Sequence, residues 1–126
     1  MHAILVVDDN ADSCKALAKL LTMMGDKALC VCSGQLALNS LRSHIPSLVI
    51  LDVMMPGKDG MEFLRRIRSE PKTADLPVIM FSAIDDPEYP KYAKSKGATD
   101  FWMKGKMEFA ALHQLVAPYM VLPAAA

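Results

Sequence analysis

Four short apolar runs in this sequence each end on a side chain with chemistry to offer. AILVV (residues 3 to 7) runs into Asp8 and Asp9, SLVIL (47 to 51) into Asp52, PVIMF (77 to 81) into Ser82, and DFWM (100 to 103) into Lys104. Asp52 is the most pointed of these, because Pro56 and Gly57 cannot extend a strand and place it at a strand-to-loop junction. Three carboxylates in one crevice would repel one another unless a cation shared the space. Hard oxygen ligands with no neighbouring His or Cys favour Mg²⁺, held by one or two carboxylates and a substrate phosphate. A carboxylate such as Asp52 can attack phosphorus to give an acyl phosphate. Lys104 would neutralise phosphoryl oxygens as a point charge, and the Ser82 hydroxyl could donate a hydrogen bond to one of them. Each residue taken singly is equally at home as ordinary loop chemistry; their joint position at strand ends is what points to phosphoryl transfer.

Such a crevice needs elements that bring those ends together. AILVV reads as a buried first strand. Cys14, Leu17, Leu20, Leu21 and Met24 then recur at helical spacing, from a cap at Asn10 or Asp12 to a stop at Gly25. A second strand is predicted over residues 27 to 32, followed by a helix capped by Ser33 with Leu38 and Leu41 inward, closing near Pro46. The helix over residues 61 to 68 turns Leu64 and Ile67 inward and puts Arg65, Arg66 and Arg68 in water, as a solvated face and not a phosphate site. Pro87 and Pro90 leave only about two turns of helix before Gly97. A last helix, with Phe109, Leu112, Leu115 and Val116 inward, stops at Pro118. Five strands alternating with helices imply an α/β domain, a parallel sheet covered on both faces by right-handed crossovers, with ligands outside the carboxyl ends of the strands.

Composition narrows the classes further. The 126 residues fit one domain, expected over residues 1 to 118 with 119 to 126 as a frayed tail. Fourteen basic residues balance fourteen acidic ones with no long run of one sign, which argues against direct nucleic-acid or anionic-lipid binding. No apolar run approaches a membrane span, and MHAILVV lacks the basic region and cleavage site of a secretory signal, so a cytoplasmic location is expected. Cys14, Cys30 and Cys32 form no C-x-x-C pair and are read as buried, reduced thiols; His2, His44 and His113 are read as structural or solvent-facing.

The motifs VVDDN, LDVMMPGKDG, MFSA and GATDFWMK together resemble the receiver domain of two-component response regulators, along residues 3 to 117. The resemblance implies a doubly wound, flavodoxin-like sheet in the order 2-1-3-4-5. It also implies Asp52 as phospho-acceptor, Asp9 as the main Mg²⁺ ligand supported by Asp8, and the Met54 backbone carbonyl as a further ligand. Ser82 and Phe101 would be the switch pair. The implied partner is a sensor histidine kinase or a histidine phosphotransfer protein, and the implied readout surface is that of the fourth helix, fifth strand and last helix, with Tyr89, Tyr92 and Lys94. Such a domain is a signalling switch, catalysing only its own Mg²⁺-dependent phosphorylation and dephosphorylation. The family usually has Lys-Pro where this chain has Lys104-Gly105, so a trans bond is expected there, with Gly105 absorbing the altered path.

Other readings fit less well. A hydrolase with an aspartyl nucleophile would carry a second acid two residues on, where Met54 stands, and a nucleotide binder would need a glycine-rich loop in place of DDNADS. A receiver-like binding module without phosphate turnover is disfavoured by the complete acid set and Lys104. No segment resembling an output domain follows Pro118, as in a free-standing receiver or one module of a longer protein.

Overall fold

The computed structural model describes residues 3–52, 59–82, 86–103 and 111–120. Strand β1 (Ala3–Val7) leads through Asn10 into helix α1 (Ala11–Met23), whose first turn is capped by Asn10 Oδ1 accepting from the Ser13 amide at 3.0 Å. The helix ends where Gly25 takes φ 98°. There the Gly25 amide donates to Thr22 O and the Asp26 amide to Leu21 O, so two carbonyls of the last turn are satisfied. Strand β2 (Lys27–Val31), helix α2 (Gly34–Ser43, capped by Ser33), strand β3 (Leu48–Leu51) and helix α3 (Asp59–Ser69) follow. Strand β4 (Val78–Ser82), helix α4 (Tyr89–Ser95), strand β5 (Asp100–Met103) and helix α5 (Leu112–Val116) complete the alternation, and Ala117–Tyr119 closes it as a 3-10 turn.

All neighbouring strands pair parallel in the order β2-β1-β3-β4-β5. The two-residue period of the strands divides the core in two. Leu5, Val7, Val49, Leu51, Val78, Met80 and Phe101 point to one face and are covered by Ala37, Leu41, Phe63, Leu64, Ile67 and Ala93 from α2, α3 and α4. Ile4, Val6, Leu48, Ile50, Ile79, Phe81 and Trp102 point to the other, covered by Cys14, Leu17, Leu21, Leu112 and Val116 from α1 and α5. β1, β3 and β4 are apolar at almost every position because both their faces are buried, whereas β2 is an edge strand with Leu29 half exposed.

Three expectations change. Arg68 is not in water: its guanidinium donates to Leu76 O at 2.7 Å, Gly97 O at 2.8 Å, Ala74 O at 3.1 Å and Thr73 O at 3.2 Å, tying the end of α3 to the chain before β4 and after α4. The solvated pair is Arg65 and Arg66, both bridged to Glu62. Gly97, at φ 110°, caps α4 as Gly25 caps α1, and a Cβ there would meet Arg68 Cγ at 3.0 Å. Cys14 is buried as expected, but Cys30 and Cys32 are only partly so. At the carboxyl end of the chain, Tyr119 and Met120, which the sequence places in a tail, pack partly buried against the α1/α5 face. Pro118 is accommodated in the 3-10 turn, where its missing amide is no loss. No helix among the described residues is long and apolar enough to cross a membrane.

Candidate functional site

The pairing register places the acids. Val7 pairs with Leu51 across the β1–β3 ladder, so Asp8 and Asp52 each stand one residue beyond the same rung. The Asp52 amide donates to Val7 O at 2.9 Å and the Asp8 amide to Val31 O at 3.2 Å, which fixes both backbones at the carboxyl edge of the sheet. Carboxylate oxygens of Asp8, Asp9 and Asp52 all lie within 4.8 Å of one another; Asp8 and Asp52 are buried and Asp9 is exposed. Asp8 Oδ1 also accepts from the Asn10 amide at 3.0 Å, which couples it to the capped start of α1.

Two ionised carboxylates no more than 4.8 Å apart repel by at least about 3.5 kcal/mol at an effective dielectric of about 20. A buried pair such as Asp8 and Asp52 therefore favours any arrangement that brings a cation, and oxygen-only donors suit a hard one. The donor set fits Mg²⁺ in chemistry and number, since that ion is commonly held by a few carboxylates while keeping several waters.

Ser82 closes β4 and is fully buried, paired in register with Met103 of β5. Phe101 pairs with Met80, is 8% exposed, and stacks obliquely on Tyr89 with ring centroids 5.5 Å apart. Tyr89 in turn meets Tyr92 at 5.6 Å, and Lys96 lies over the Tyr92 ring at 5.6 Å. Burial pushes the Tyr89 hydroxyl above its usual value, with Tyr92 adding to the effect. Lys94 faces Asp100 at 3.6 Å. The structure thus brings the three expected acids together and sets Ser82 and Phe101 on adjacent strands. Lys104, the Met54 carbonyl, the Pro56-Gly57 turn and the Lys104-Gly105 bond lie outside the described residues.

A second triad is not anticipated by the sequence reading. The Sγ atoms of Cys14, Cys30 and Cys32 also lie within 4.8 Å of one another. Their signal was the i, i+2 spacing of Cys30 and Cys32, which puts two thiols on one side of an extended chain. Arg68 likewise announced itself by standing four residues after Leu64, on the buried side of α3.

Comparison with known proteins agrees with this geometry. Residues 4–117 match the family model for the response regulator receiver domain, and the chain belongs to that family. A probable transcriptional regulator, ycf27, of Cyanidium caldarium is 37% identical over 103 residues, covering 82% of this chain and 40% of that protein. The transcriptional regulatory protein AfsQ1 of Streptomyces coelicolor is 36% identical over 104 residues, covering 82% of this chain and 45% of that one. Among solved structures, a putative response regulator from Chloroflexus aurantiacus superposes with a TM-score of 0.84 at 30% identity, over 94% of this chain and 97% of that chain. The chain spans less than half the length of these two curated relatives.

Proposed function

We propose that this receiver domain takes a phosphoryl group from the phosphohistidine of a sensor kinase or histidine phosphotransfer protein onto Asp52, and that the charge gained there resets the α4–β5–α5 surface. The observation that carries this reading is the convergence of Asp8, Asp9 and Asp52 at one sheet edge. An Asp52 carboxylate oxygen attacks phosphorus, the phosphorus–nitrogen bond breaks, and its electron pair leaves on the imidazole; the product is an acyl phosphate. Asp9, Asp8 and the Met54 carbonyl would hold Mg²⁺, with Asp52 completing the set. When bound, that ion offsets the carboxylates' repulsion and the charge on the phosphoryl oxygens. Asp8, held by Asn10, positions a buried negative charge, while the exposure of Asp9 leaves a path for a hydrated cation. Lys104 would neutralise a phosphoryl oxygen as a point charge.

The added group carries about −1.5 to −2 charges, which the Ser82 hydroxyl would meet by donating a hydrogen bond. Phe101, one strand over, is already largely buried against Tyr89, so its response is a repacking against Tyr89 and Met80 more than an entry from solvent. α4 is the element best suited to transmit it: it has seven residues, no side-chain cap and a proline in its first turn. A partner protein would read Tyr89, Tyr92 and Lys94. The balanced charge and the absence of a membrane-crossing helix among the described residues support a protein partner in the cytoplasm over nucleic acid or lipid. Incubation with acetyl phosphate should add one phosphoryl group by intact mass in Mg²⁺ and none in excess chelator. Uptake that is indifferent to Mg²⁺ would exclude this reading.

A further inference from the structure

Three thiols from two elements meet beside the acid crevice, and phosphoryl chemistry has no use for them. Cys14, in the first turns of α1, is fully buried, and its Sγ–H donates weakly to Val6 O at 3.4 Å and Val31 O at 3.6 Å. Cys30 and Cys32, on β2 and just past its end, are partly buried and give the cluster an approach from solvent. Among the described residues no carboxylate or imidazole joins the three sulfurs. We propose that Cys14, Cys30 and Cys32 form a three-coordinate site for a trivalent thiophilic metalloid, trivalent arsenic or antimony.

The spacing supports this. A trivalent centre keeps a lone pair and is pyramidal, so three sulfurs about 2.3 Å from it, at angles near about 95°, stand about 3.4 Å apart. The three sulfurs lie within 4.8 Å of one another, and side-chain rotation can draw them together. The all-sulfur donor set selects soft centres over Mg²⁺ or Ca²⁺.

Charge then chooses among soft centres. Burial and then Cys30 push the Cys14 and Cys32 thiols above the ordinary range, opposed at Cys32 by the hydrogen bond with Cys14 and the charge of Lys15, and at Cys14 by the contact with Val31 O. Three thiolates around Zn²⁺ carry a net charge of −1, and around Cu⁺ −2, which burial of the cluster penalises. Around a trivalent centre the three thiolates leave a neutral complex, which a desolvated pocket accepts. The reactants are thiols. Arsenous acid, As(OH)₃, exchanges its three As–O bonds for three As–S bonds, and each hydroxyl leaves as water with one thiol proton. No oxidant or reductant is consumed. The weak S–H···O contacts of Cys14 are given up in exchange.

The test uses the folded, reduced protein with stoichiometric arsenite, read by native mass spectrometry and arsenic X-ray absorption. One arsenic per chain with three protons lost, and a first shell of three sulfurs without oxygen, is the expected result. Cys32→Ser at the half-exposed position should weaken binding about 100-fold, the gain commonly supplied by one further intramolecular ligand. Zn²⁺ should not displace the arsenic at equal concentration. No adduct on folded protein, a shell that retains As–O bonds, or equal affinity in Cys32→Ser would overturn the proposal. Should Cys32→Ser fail to fold, the wild-type absorption spectrum decides alone.

Discussion

Two ligand triads sit at the same end of one sheet and differ in what an empty site costs. The carboxylates of Asp8, Asp9 and Asp52 gather negative charge, whereas Cys14, Cys30 and Cys32 gather neutral thiols. They even share an anchor, since Val31 O accepts from both the Asp8 amide and Cys14 Sγ. The acid triad concentrates like charge from oxygen donors, so a hard cation should bind it and steady the fold. The thiol triad is comfortable when empty, so only a centre that leaves it uncharged has much to gain there. Ligand charge, more than spacing, separates the two sites.

The largest effect separating the two should come from Mg²⁺. An ion that binds only the folded chain, at 100 times its dissociation constant, stabilises by about 2.7 kcal/mol, or on the order of 10 °C in Tm for a domain of this size. Thermal melts with and without Mg²⁺ should show that gain in wild type and in Cys32→Ser, and lose most of it in Asp9→Asn. An equal gain in Asp9→Asn would sever the acid triad from the metal.

Next comes a control outside both triads. Arg68→Met leaves the carbonyls of Ala74, Leu76 and Gly97 without the guanidinium, while Thr73 O keeps the Leu76 amide at 3.1 Å, at a cost of about 2–3 kcal/mol in urea unfolding. Mg²⁺ and arsenite binding should both persist in the folded variant; loss of either would show that the two sites depend on the α3–α4 tie.

A smaller effect follows from pH. The Cys14 and Cys32 thiols titrate above their usual 9.0 in the folded chain, so the folded state binds their protons more tightly than the unfolded state. That contribution is complete below about pH 9 and is lost as pH rises through the higher folded values. Stability measured from pH 8 upward should therefore fall, and fall less in Cys14→Ala, although that variant starts lower. Tyr89 and Tyr119, also raised from 10.0, act in the same direction at higher pH and are common to both proteins. A parallel decline in wild type and variant would remove the thiols from the explanation.

The smallest effect belongs to Glu62, whose carboxyl is lowered to about 2, mainly by the hydrogen bond from Arg65. Its contribution is present above about pH 4.5 and lost as pH falls toward 2, and the solvent-facing position of the Glu62–Arg65 pair makes it sensitive to salt. Glu62→Gln should scarcely alter a melt at high salt, and neither triad should notice it.

The sheet and the acid site were legible because the same residues report both. A strand buried on two faces must be apolar throughout, so Asp8, Asp52 and Ser82 stood out as the places where β1, β3 and β4 meet the edge. The capped ends of α1 were equally plain in Asn10 and Gly25. The thiol triad was not, because Cys14 reaches Cys30 and Cys32 only through the pairing of β1 with β2 and the seating of α1 over them. Arg68 was misplaced for another reason: its residue type suggested solvent, while its position on α3 put it over the carbonyls flanking β4. Tyr119 and Met120 escaped notice because the proline before them reads as a stop, and a 3-10 turn lets the chain continue into the core face.

The most direct test is to locate the phosphoryl group within the chain. After acetyl phosphate and Mg²⁺, borohydride reduction of an acyl phosphate leaves an alcohol in place of the carboxyl, and peptide mass spectrometry reads its position. Homoserine at position 52 alone, absent in chelator and in Asp52→Asn, is the expected outcome. Reduction at Asp8 or Asp9, or a phosphoryl group that remains in Asp52→Asn, would contradict the assignment of Asp52 as the acceptor.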